Sequence, residues 1–220
     1  VHAPRIDVEE TLRGIQAALR GYDPAITFLQ EVDRSSDRTH RVDQLPALAG
    51  ALGAGAQCHA AATYHRSPFV PHPLPVPLGR VHMDLAILTS GPLRDAQRIA
   101  LPLLAEGRVR QFFNLKRALV TASAPVDGLD KPLLIGVTHL SAFSRGDGTL
   151  GRQVAVLTEW MASHDPDQPW ILAGDLNMLP PGDDPSRLKA EGDLYSAEDK
   201  TMDALIPRFR TATPVGELLS

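Results

Sequence analysis

The chain has 220 residues, 43% hydrophobic and 22% charged, with a formal net charge of −4. That length suits a single domain over residues 1–220, and the acidic balance lacks the basic surplus with which dedicated duplex binders neutralise phosphates. The lone cysteine, Cys58, excludes an internal disulfide and a thiolate-rich metal site, and no apolar run approaches the roughly 18 residues of a membrane span.

Asp7, with Glu10 three residues on, forms a capping-box-like pair, and Val8, Leu12, Ile15 and Leu19 share one face of a helix ended by Gly21 and Pro24. Residues 25–29 are a short apolar run that predicts a buried strand finishing in Gln30-Glu31, and residues 42–52 predict a second helix. Residues 66–79, RSPFVPHPLPVPLG, hold five prolines and predict an extended surface loop, placed to line a cleft. Strands are expected at 83–88, 99–101, 112–122 and 133–139. Residues 148–164 predict a helix with Val154, Leu157 and Met161 inward, and the turn DPDQP feeds a last strand from Trp170. This alternation points to a layered α/β sandwich of mixed sheets.

Three of the strands end alike: ITFLQE (26–31), LLIGVTH (133–139) and WILAGDLN (170–177). Each apolar run suits a strand covered on both faces, and each finishes in acidic, amide or imidazole groups. Ligand sites in layered α/β proteins gather at such strand ends, so Glu31, His139, Asp175 and Asn177 are expected in one cleft. Glu31 offers the hard oxygen that suits Mg²⁺, which takes its remaining ligands from water and substrate phosphate. Asp175 can orient an attacking water. The Asn177 amide and a protonated His139 can meet charge building on a phosphoryl group, and His139 can protonate the leaving oxygen. Together they make a kit for metal-assisted phosphoester hydrolysis.

LQEVD (29–33), THL (138–140) and GDLN (174–177), with KRALVTAS (116–123) and Arg152-Gln153 between, resemble the endonuclease/exonuclease/phosphatase superfamily in order and rough spacing. The resemblance implies a four-layer α/β sandwich with two mixed central β-sheets flanked by helices. It implies Mg²⁺ or Mn²⁺ on Glu31, phosphate contact by His139, and water positioning and transition-state stabilisation by Asp175 and Asn177. Leu176 stands where phenylalanine is commoner. The family pattern also has an upstream strand bearing an asparagine and a downstream Ser-Asp-His run. Neither is present, so a longer protein with further terminal strands is expected, and little hydrolysis if these residues are the whole molecule. Asp203 sits too early to stand in.

Each residue also has a plainer use. Glu31 suits a strand end paired with Arg34, Asp175 and Asn177 an Asx-type turn before Pro180-Pro181, and His139 a satisfied half-buried histidine. His59, His65, His72 and His82 match no compact zinc spacing. RVRQFFNLKR (108–117) mixes basic and aromatic residues as a nucleic-acid surface does, but a β-hairpin with its charges outward is the expectation. RGDGTLGR (145–152) lacks the Gly-Lys-Ser/Thr of a phosphate loop, and no G-x-S-x-G occurs. The reading is a divalent-metal phosphoesterase acting as a monomer on a phosphate ester, a small molecule or lipid headgroup in preference to duplex DNA. The alternatives are a non-catalytic binding module that keeps the fold and a nuclease of the same superfamily. A cytoplasmic setting is the default, and an exported form with its leader removed is the other option.

Overall fold

Helix α1 (Arg5–Tyr22) turns Val8 and Leu19 inward, while Asp7 lies inside its first turn, where a carboxylate favours the helix dipole, instead of capping it. The computed structural model describes residues 5–52, 58–71, 73–142, 147–184, 186, 205 and 209–212. Strand β1 (Ile26–Asp33) follows, then a 3₁₀ turn (Asp37–Thr39) and helix α2 (Gln44–Ala51). A long antiparallel pair comes next, β2 (Cys58–Val70) with β3 (Gly79–Thr89). Then come β4 (Arg94–Ala100), α3 (Arg108–Phe113), β5 (Ala118–Ala124), β6 (Leu133–His139), α4 (Thr149–Ala162) and β7 (Trp170–Asp175).

The expected loop at 66–79 is half strand. Residues 66–70 belong to β2, which reaches past Pro68 because β2 lies at the edge of its sheet and its register shifts between Ser67 and Val70. A proline missing its N–H is tolerated in that position. The strand expected at 112–122 and the hairpin at 108–117 give way to helix α3, with Val109 and Phe112 exposed; β5 begins only at Ala118. The expected strand at 99–101 is the tail of β4, a polar and largely exposed edge strand without apolar alternation. Val1-His2, where the tail of the upstream strand is expected, lies outside the described residues, as do His72 and Asp203.

The strands form two sheets, β1-β3-β2, antiparallel throughout, and β4-β5-β6-β7, in which only β6 and β7 run parallel. The sheets pack face to face on Tyr64, Met83, Leu85 and Ile87 from one and Val120, Ile135 and Val137 from the other. Helices α1 and α2 cover the outer face of the first sheet through Leu19, Leu45 and Leu48. Helix α4 covers the second through Val154, Leu157 and Met161, each of which contributes about 1.5–3 kcal/mol by leaving water. The result is a four-layer α/β sandwich. Helix α4 is also the crossover that parallel pairing of β6 with β7 demands, which is why THL and GDLN end side by side. No helix among the described residues is long and apolar enough to cross a membrane.

Candidate active site

His139 and Asp175 are register partners at the ends of β6 and β7. The two strands can approach this closely because Gly174, at φ +147°, backs onto the carbonyl oxygen of Thr138, where any Cβ would collide. His139 Nε2 then lies 3.5 Å from Asp175 Oδ2. From the facing sheet, Glu31 brings Oε1 to 3.9 Å from His139 Nδ1. Strand β1 does not stop at Glu31 but bulges there, between Leu29 and Val32, with Glu31 at φ +54°. This sparsely populated conformation for a non-glycine residue aims the carboxylate into the gap between the sheets. The side chains of Glu31 and Asp175 are 53% and 51% exposed, that of His139 only 6%, so two open carboxylates flank a buried imidazole.

Asn177 closes the group in two ways. Its backbone N–H donates to Asp175 Oδ1 at 2.9 Å, and its Nδ2 donates to the Leu140 carbonyl at 2.9 Å, with Asn177 itself at φ +50°. This is the Asx-type turn foreseen as the plainer use, and it also fixes Asp175 so that Oδ2, not Oδ1, faces His139. The plainer pairing of Glu31 with Arg34 does not occur. Arg34 bonds Asp43 at 2.7 Å and Asp84 at 3.0 Å. The cation facing Glu31 is Arg38, whose Nη2 lies 3.9 Å from Glu31 Oε2 while its Nε donates to buried Asp33 at 2.9 Å.

Three further residues complete the site; Arg117 and Gln153 figured in the sequence only as part of the family resemblance, without a role, and Tyr64 not at all. Tyr64, from β2, sets its hydroxyl 3.4 Å from His139 Nδ1. Arg117, just before β5, is buried with its guanidinium carbon 5.7 Å from the Tyr64 ring centroid. Gln153, from α4, accepts from Ser141 N–H at 2.9 Å and donates to the Pro102 carbonyl and Ser141 Oγ, pinning the segment that follows His139. A usable signal existed for Arg117, the inner member of a Lys-Arg pair abutting seven uncharged strand residues. For Tyr64 there was none, because β2 itself was not foreseen.

The electrostatics revise one role. Burial first, and then the charge of Arg117, push the His139 imidazole down to about 4 against the opposing pull of Asp175. Both favour the neutral imidazole over the protonated acid expected from sequence. Burial, followed by the charge of Glu31, raises the Tyr64 phenol, so it keeps its proton and can donate to Nδ1. A phenol donating to Nδ1 would place the imidazole hydrogen on Nε2, toward Asp175.

The described residues offer a metal few protein ligands. Among the described residues no group of three or more His, Cys, Asp or Glu is gathered as a cage. His82 is spent on Thr63 at 2.9 Å and on Asp84. Mg²⁺ asks for less, one or two carboxylates with water and substrate phosphate supplying the rest, and Glu31 and Asp175 are open oxygen donors beside one neutral imidazole.

A family model described as Endonuclease/Exonuclease/phosphatase family matches residues 4–217. The chain belongs to the endonuclease/exonuclease/phosphatase family. As a member of this phosphoesterase family it shares its fold with many solved structures. One is an endonuclease/exonuclease/phosphatase from Beutenbergia cavernae DSM 12333, 25% identical, covering 76% of this chain and 42% of that one, with a TM-score of 0.57. Sphingomyelinase C from Streptomyces griseocarneus is 16% identical over 78% of this chain and 57% of its own, with a TM-score of 0.55. The human nocturnin catalytic domain is 21% identical over 78% and 58%, with a TM-score of 0.53. This family member thus spans 42% to 58% of the length of these three structures. No curated protein matches it by sequence.

Proposed function

We propose that the protein is a divalent-metal-dependent phosphoesterase that hydrolyses a phosphodiester or phosphomonoester by in-line attack of water. The observation that carries this reading is the approach of Glu31 and Asp175 to opposite nitrogens of one buried, neutral imidazole, at 3.9 and 3.5 Å, from three strands in two sheets. A core packed for stability alone gains nothing from two open carboxylates at the mouth of such a gap.

Glu31 would hold Mg²⁺ or Mn²⁺, which when bound supplies Lewis-acid polarisation of the phosphoryl group. Asp175 offers Oδ2 to a hydrogen of the attacking water and takes its proton as the new bond to phosphorus forms and the bond to the leaving oxygen breaks. His139 donates from Nε2, holding the water or a phosphoryl oxygen in line. Asn177 locks the Asp175 carboxylate and keeps a second amide hydrogen for the phosphoryl group. The net charge of −4 favours a small molecule or lipid headgroup over duplex DNA.

The test is hydrolysis by the protein made from its full reading frame. Bis(p-nitrophenyl) phosphate, p-nitrophenyl phosphate and supercoiled plasmid are offered with Mg²⁺, with Mn²⁺ and with chelator. Metal-dependent turnover of a small ester supports the reading. Plasmid nicking alone selects the nuclease, and no turnover of any of the three leaves a binding module.

A further inference from the structure

Arg117 is 6% exposed, yet its Nε and Nη1 are buried with no hydrogen-bond partner among the described residues. Its neighbours in the same region are not like this. Arg34 spends its fork on Asp43 and Asp84, and Arg38 bonds Asp33 and Met83 Sδ. A guanidinium cannot shed its charge, so burying it with two donors idle is costly unless something else meets them. The group is held in place by packing: its carbon lies 5.7 Å from the Tyr64 ring centroid, and the Tyr64 hydroxyl is 3.4 Å from His139 Nδ1. Leu101 N–H anchors the Arg117 carbonyl at 3.0 Å, and pairing of Leu119 with Thr138 sets Arg117 at the same sheet end as His139.

We infer that Arg117 is the anion seat of the site, its idle Nε and Nη1 donors binding an oxygen of the substrate phosphoryl group. The inference rests on the phosphoesterase reading and deepens it. Arg117 brings a permanent positive charge and two idle donors to the sheet end where His139 lies. The fields of Glu31 and Asp175 both act on it, and its own field acts on His139, so it shares their space. The substrate class that follows is one presenting an anionic phosphoryl oxygen to a buried, permanently charged donor. A neutral, fully esterified phosphate is excluded.

The experiment titrates inorganic phosphate against the full-length protein, with and without Mg²⁺, for wild type, Arg117→Met and Arg117→Lys, and records Tm for each. Phosphate affinity should fall at least ~10-fold in Arg117→Met. Its Tm should hold or rise, because methionine fills the volume without an unpaired charge. Arg117→Lys should keep part of the affinity through its charge. Unchanged phosphate affinity in Arg117→Met overturns the inference. So does a large loss of Tm in both variants, which would make the guanidinium a structural group. Phosphate binding lost in Arg117→Met while the wild type hydrolyses nothing keeps the anion seat and sinks the enzyme. Wild-type kcat/KM in Arg117→Met does the reverse.

Discussion

Gly174 lies against Thr138 with no room for a side chain: a Cβ built on it would run into the Thr138 carbonyl oxygen. That contact sets the distance between β6 and β7, and so the 3.5 Å gap between His139 and Asp175 one residue further on. Gly174→Ala is expected to part the two strands, because alanine suffers both the collision and the φ of +147°. The expected loss is at least about 2 kcal/mol of stability, with turnover falling further than stability explains. Denaturant unfolding and kcat measured on the same preparation check this. An unaffected kcat would show that the spacing does not matter to the chemistry.

The Tyr64 hydroxyl and the Nδ1 of His139 make the second prediction. A phenol that keeps its proton and faces Nδ1 at 3.4 Å selects the tautomer with hydrogen on Nε2. ¹⁵N shifts of the His139 ring at pH 7 should report a neutral Nε2–H imidazole. Tyr64→Phe should mix the tautomers. A protonated ring at that pH, or no change in Tyr64→Phe, contradicts the assignment.

Gln153 is wholly buried and serves Ser141 N–H, Ser141 Oγ and the Pro102 carbonyl at once. Leucine in its place fills the volume but strands those groups in the interior. A buried unsatisfied group costs about 1–3 kcal/mol, so Gln153→Leu is expected to lose at least about 2 kcal/mol. For a domain of this size that is a fall in Tm of several degrees, roughly 4–8 °C. A shift of less than a degree would mean that the segment after His139 is held by other contacts.

His65, buried in β2, gives a pH dependence with a definite sign. Burial first, and then the charge of Lys116, lower it from 6.5 to about 4. As pH falls the unfolded chain therefore binds its proton before the folded one. The contribution to stability is complete above about pH 6.5 and drains away as pH falls through about 4, at up to about 1.4 kcal/mol per pH unit. His65→Leu should show a smaller drop in Tm between pH 7 and pH 4 than wild type. Parallel pH profiles for the two proteins would count against a buried neutral His65.

The parts of this fold that declared themselves in sequence are those where one pattern dominates. The stripe Val154, Leu157, Met161 marked α4 and the run 133–139 marked β6, because each buries a whole face or both; the run 170–173 marked β7 by its apolar content alone, since β7 is only partly covered and Ile171 is exposed. The polar ends of those runs and of 26–31 marked Glu31, His139, Asp175 and Asn177 as a group, and the sandwich sets Glu31 and Asp175 against His139 and Asn177 against Asp175. What stayed hidden depends on tertiary context. Strand β2 was masked by Pro68, whose missing N–H costs nothing on a sheet edge, and β4 is an edge strand with little apolar content. Helix α3 looked like a hairpin because six residues are too few for helical periodicity to show. The charge state of His139 could not be read at all. It follows from burial and from Arg117, a residue 22 positions away in sequence that only the pairing of β5 with β6 brings near.

The most direct measurement is kcat/KM of the full-length protein on whichever phosphate ester it turns over with Mg²⁺ or Mn²⁺, compared between wild type and Asp175→Asn. The substitution keeps the shape, and the side-chain oxygen that accepts from Asn177 N–H, while removing the group assigned to take the proton of water. A fall of about 10²–10⁴-fold is expected, with Tm little changed. Turnover within a few-fold of wild type would contradict it.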